Sequence, residues 1–185
     1  MKQPFFYFLI LIGISLKCQN LVLTQSFNQP TVGDTNLVYP MDTSGFSSAM
    51  PIGLIGNNIT WDFTNLNAKP NILETAYISP VTVTNSASFS GCNLVEKQGG
   101  LYTFLKSSIT PTTQTELLGL TSSTLSFNFT NSAIAAKYPM AFGTSISDNF
   151  SGTFVFSLNG TCSGTLTSNA DVYGTIKLSN NLTLT

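Results

Sequence analysis

Catalysis needs groups that move protons, attack as nucleophiles or hold a metal, and this chain is poor in all three. Its 185 residues include no histidine and no arginine, with lysine as the sole cation and a formal charge of −1. Without histidine there is no Ser-His-Asp triad, no Cys-His dyad and no imidazole-ligated metal. The carboxylates are Asp34, Asp42, Asp62, Glu74, Glu96, Glu116, Asp148 and Asp171, and none falls in the alternating spacing of a calcium loop. Two of them could meet as a glycosidase acid and base roughly 5–9.5 Å apart. Scattered acids always permit such a pair, so the plainer reading is solvated positions and turn caps. No catalytic residue, metal site or cofactor is expected, and the chain reads as a non-enzyme. With no arginine and almost no net charge, it also lacks the electrostatic footprint of a nucleic-acid binder.

Trp61 is the only tryptophan, set between Thr60 and Asp62. On the surface of a sheet it could stack on a sugar ring, as in carbohydrate-binding modules. Its alternation with Ile59 and Phe63 points instead to a core position. The 14 phenylalanines also read as core, because two packed sheets need large apolar side chains between them. Cys92 and Cys162 form an even pair once Cys18 is set aside, and in an oxidising compartment they are expected to form a disulfide. That bridge would close a loop of about 70 residues and add on the order of 4 kcal/mol. Asn58, Asn128, Asn149, Asn159 and Asn181 each open an N-glycosylation triplet. Such triplets arise easily in an Asn- and Thr-rich chain and matter only in a eukaryotic secretory pathway.

The N-terminus reads as an export signal rather than as part of the domain. Lys2 precedes an apolar run from Phe5 to Leu16, shorter than the roughly 20 residues a membrane span needs and matched to a signal-peptide core. Residues 1–18 are therefore read as a signal peptide, and residues 19–185 as one exported domain without a membrane span. Cys18 suggests lipidation, but Lys17 stands where a lipoprotein peptidase needs a small residue.

After residue 20 a period of two dominates. Ile59, Trp61 and Phe63 alternate with Thr60, Asp62 and Thr64. Leu125, Phe127 and Phe129 alternate with Ser126, Asn128 and Thr130. Phe154, Phe156 and Leu158 alternate with Thr153, Val155 and Ser157. These are half-buried strands. Further strands are expected at 77–84, 101–107, 114–120 and 165–178. Turn clusters separate them, among them Thr43 to Gly45, Gln98-Gly99-Gly100 and Asn159-Gly160, the last expected as a tight hairpin turn. Ser132 to Lys137 is the only hint of helix. Together these features predict an all-β, predominantly antiparallel sandwich, jelly-roll-like or Ig-like.

Several phrases resemble a group of exported Bacteroidota proteins with an N-terminal β-rich domain. Leu23-Thr24-Gln25, Pro30 and Gly33-Asp34 carry the opening, and Trp61-Asp62-Phe63 and Asp171-Val172-Tyr173-Gly174 carry later landmarks. Members commonly end in a sorting tail for type IX secretion. The resemblance implies a location, secreted or at the cell surface, with the secretion machinery as a partner where a tail follows and the periplasm where none does. The chain stops at Thr185 without such a tail, so it reads as truncated at its C-terminal end. Ile176, Leu178, Leu182 and Leu184 are expected to leave an open apolar edge there. The function expected is a non-enzymatic structural or adhesive role towards an unknown surface. The alternative is a glycan-binding module that tethers an exported protein to polysaccharide through Trp61.

Overall fold

The computed structural model describes residues 22–42, 55–64 and 67–178. The expected signal peptide, Cys18, the turn at Thr43 to Gly45, the Asn181 triplet and the end of the chain beyond Leu178 lie outside the described residues. The elements are β1 (Val22–Leu23), α1 (Gln25–Asn28), β2 (Thr35–Val38), β3 (Met41–Asp42), β4 (Gly56–Phe63), β5 (Asn67–Ala68) and β6 (Leu73–Ile78). They continue with β7 (Leu94–Gln98), β8 (Leu101–Ser108), β9 (Gln114–Thr121), β10 (Ser126–Lys137), β11 (Met140–Ala141), β12 (Ser145–Val155), β13 (Asn159–Asn169) and β14 (Val172–Leu178).

The protein is mostly strand, and its centre is a large antiparallel sheet of eight strands, consistent with a sandwich-like all-β fold. The sheet runs β13-β12-β10-β9-β8-β7-β6-β2. Its long strands follow one another because short turns join them. Gly99, at φ +57°, and Gly100 are the whole connection between β7 and β8, as a two-residue hairpin requires.

Both faces of the sheet are covered near its middle. On one face, the segment between β6 and β7 brings Phe89 onto Phe104, with ring centroids 3.8 Å apart and planes 9° from parallel. These two rings are buried with Val95 and Leu118. A side chain at position 119 has no room beneath them. Gly119 has φ +153°, and a Cβ there would stand 2.2 Å from the Phe127 carbonyl oxygen and 2.6 Å from the Phe89 ring. On the other face α1 is pinned by side-chain amides. Gln25 Nε2 donates to Ser107 Oγ at 2.8 Å, Asn28 Nδ2 donates to the Tyr138 hydroxyl at 2.7 Å, and the Thr115 hydroxyl donates to Gln29 Oε1.

Five local expectations are corrected. The strand expected at 77–84 ends at Ile78, because Pro80 opens a 3-10 turn over Pro80–Thr82. Ser132 to Lys137 is strand, not helix, because it pairs with β9 from Ala133↔Leu117 to Lys137↔Gln114. The β12–β13 turn is made by Phe156, Ser157 and Leu158, since Val155 already pairs with Asn159 and Phe154 with Gly160. Phe156 and Leu158 therefore lie exposed in the turn rather than on a buried face. Residues 165–178 are broken at Ala170-Asp171, after which β14 leaves the large sheet and runs parallel to β4. Finally, only Phe89 and Phe104 of the phenylalanines are buried outright among the described residues, and Phe27, Phe142 and Phe156 are exposed.

Candidate functional site

The residues singled out by sequence are not brought together. Trp61 sits half-buried on β4, on the same row as Ile59 and Phe63, with exposed residues alternating between them. Its partner across the parallel pair is Ile176. The expected alternation of this strand is therefore met. The buried core, however, is built elsewhere, from Phe89, Val95, Phe104 and Leu118.

The expected disulfide between Cys92 and Cys162 does not form, and both thiols are free. The reason is strand order. Cys92 lies just before β7 and Cys162 lies on β13, which is five strand-to-strand steps away. At about 4.8 Å per step that is roughly 24 Å along the sheet, against the Cα separation of under about 7 Å a disulfide needs. Cys92 Sγ donates to the Leu94 carbonyl at 3.4 Å. Burial pushes its thiol pKa up, against smaller opposing contributions from backbone contacts with Leu94 and Leu105. Cys162 faces Gly152 across the β12–β13 ladder.

The densest polar group was not legible from spacing. It centres on Glu116 of β9, which accepts from Lys106 Nζ at 3.2 Å and Gln114 Nε2 at 3.0 Å through one oxygen, and from Ser132 Oγ at 2.7 Å through the other. Burial tends to raise its pKa, but the hydrogen bonds from Ser132, Gln114 and Lys106 outweigh that and hold it below the ordinary value. The group borders an open cavity of about 400 Å³ with Ser88, Phe89 and Asn128 on its rim. A general acid needs a proton near working pH, whereas this carboxylate is held ionised with both oxygens occupied. Its chemistry is that of a staple joining β8, β9 and β10. Asp148 has a comparable duty, as its Oδ2 accepts the Ile134 backbone N–H at 2.9 Å, beside an irregular stretch of the β9–β10 pairing. Among the described residues no three Asp, Glu or Cys side chains gather where they could hold one ion.

The β12–β13 hairpin is built differently on its two faces. Eleven residue pairs run from Ser145↔Asn169 to Val155↔Asn159 without a register shift. On one face, Phe150 and Phe154 lie over Gly164 and Gly160, where a Cβ would stand 2.7 and 2.6 Å from the rings. Phe129 and Phe127 of β10 adjoin them at centroid distances of 4.9 and 5.9 Å. Aromatic rings laid over strand glycines are a known way to stiffen a glycine-rich edge. The opposite face carries hydroxyls and amides. Ser145 Oγ donates to Asn169 Oδ1 at 2.7 Å, Thr165 Oγ1 donates to Asn149 Oδ1 at 2.7 Å, and the Ser147 and Thr167 hydroxyls bond at 3.2 Å. All six side chains are exposed, and the row holds no charge.

No protein family, curated protein or solved structure matches the chain.

Proposed function

We propose that this chain is an exported or surface-displayed β-sheet domain with a non-enzymatic, structural or adhesive role. One observation carries the reading, the hydrogen-bonded row of neutral hydroxyls and amides on the exposed face of β12 and β13. Such a row has donors and acceptors already aligned, so contact with another polar surface costs little ordering entropy. Having no charge, it suits a neutral surface and a contact that salt does not screen. The apolar run at residues 5–16 and the resemblance to exported Bacteroidota proteins support the location. The glycan-binding alternative relies on Trp61, whose half-buried place beside Ile176 offers less ring to a sugar than an exposed platform does.

The test is retention of the full chain on insoluble bacterial envelope material, run beside a glycan array. Retention should persist at high salt and fall when Ser147 and Thr167 are both replaced by lysine. Robust array binding that is lost with Trp61→Ala would replace this reading with the glycan-binding one. Turnover of any array glycan would overturn both.

A further inference from the structure

The two ends of the eight-stranded sheet are finished in different ways. β2 is four residues long, preceded by Asp34 and followed within two residues by Pro40. Short length, a nearby charge and a proline are the devices by which sheets block further pairing. β13 has none of them. It is eleven residues long, reads NGTCSGTLTSN without a charge or a proline, and pairs with β12 without a bulge. It is the last strand of the sheet, so no described strand takes up its outer backbone groups. At about 3.4 Å per residue the open edge spans roughly 37 Å.

We infer that β13 pairs edge to edge, antiparallel, with β13 of a second copy of this chain. The occupant is a second copy because the strand complements itself. About a two-fold axis normal to the sheet, each residue meets one of the same parity, so the two faces of the strand do not mix. Thr161, Ser163, Thr165 and Thr167 meet hydroxyl and amide residues, repeating the chemistry these strands already use between β12 and β13. Gly160, Cys162, Gly164 and Leu166 meet one another on the aromatic face, where the Phe154 and Phe150 rings already cover the two glycines. With no charge on the strand, nothing repels across the axis. The dimer joins the two sheets into one of sixteen strands, twice the eight of a single copy. It also doubles the length of the neutral row. The inference stands apart from the proposed adhesive role, because it concerns the edge of the strand and not what its face contacts.

The test is light scattering on the full chain with two variants, one at each edge. The wild-type chain should show about twice its 19.8 kDa mass. Thr161→Lys with Ser163→Lys leaves the side-chain bonds of Thr165, Thr167 and Asn169 intact and sets four lysines along the joined edge, those at 163 diagonal to one another when the two strands overlap in full. It should weaken dimerisation by about tenfold or more. Thr35→Lys on β2 should leave the mass unchanged. A second readout needs no variant. In hydrogen exchange at rising protein concentration, the outward amides of β13 should slow while those of β2 do not. A wild-type chain that stays monomeric with concentration-independent exchange at β13 would overturn the inference. So would a dimer that the double lysine variant, shown to be folded, leaves intact.

Discussion

At one end of the large sheet stands β2, whose four residues are all exposed, and at the other stands β13, whose eleven residues alternate strictly between exposed and half-buried. β2 rests on contacts made around it. Gly33 N donates to the Tyr77 carbonyl at 2.8 Å, Tyr77 N donates to the Asp34 carbonyl at 2.9 Å, and Asp34 Oδ2 accepts the Thr31 backbone N–H at 2.7 Å. β13 rests on its own regularity, with a full ladder to β12 and rings laid over its glycines. The difference teaches that an edge can be stable without being closed. A strand can be held firmly on one side while no described strand pairs with its other side.

That contrast can be broken or sharpened by mutation, and the largest effect belongs between the two ends. Phe104 is fully buried under Phe89, so Phe104→Ala should cost about 3–5 kcal/mol. Denaturant unfolding should read this as a drop in midpoint at an unchanged slope. A loss under about 1 kcal/mol would mean the covered middle is not the core of the sheet. Next comes the floor of the β13 edge. Gly164→Val forces the Phe150 ring off the strand and should cost about 1–3 kcal/mol. A neutral result would show that the rings do not brace β13.

Glu116→Gln should cost about 1 kcal/mol at neutral pH, since the carboxylate is mostly shielded and accepts three hydrogen bonds, while water screens the exposed Lys106 ammonium. The pH dependence has a definite sign. Because the folded pKa is depressed, the Glu116 contribution is fully present above its unfolded pKa, and it is lost as pH falls through the folded value. Stability curves of the wild type and Glu116→Gln should converge in acid. A gap that persists at low pH would assign the effect to packing rather than charge. The smallest effect is at the closed end, where Thr35→Lys should change stability by no more than about 0.5 kcal/mol.

The class of the fold was legible because alternation needs only local sequence. Ile59, Trp61 and Phe63 declare a half-buried strand wherever the chain takes them. Partners and turns were less legible. The pair Phe154 and Phe156 looks like one alternating face until the hairpin is centred on Ser157, after which Phe156 falls in the turn. Once that centre is known, Phe150 and Phe154 fall opposite Gly164 and Gly160, so this signal was present in the sequence. The Cys92–Cys162 expectation failed because counting cysteines carries no information on how many strands lie between them. The Glu116 staple joins Lys106, Gln114 and Ser132 across three strands, and no spacing along the chain marks such a group.

Among the described residues β13 is the open end of the sheet, and this can be measured. It is tested most directly by residue-resolved amide exchange across β13, at a concentration low enough to keep the chain monomeric. The expected result is a period of two, with amides directed at β12 exchanging slowly and the alternate, outward amides exchanging fast, while β9 and β10 in the sheet interior are slow on both sides. Uniformly slow exchange along β13 in the monomer would contradict the claim, because another part of the chain would then be closing that edge.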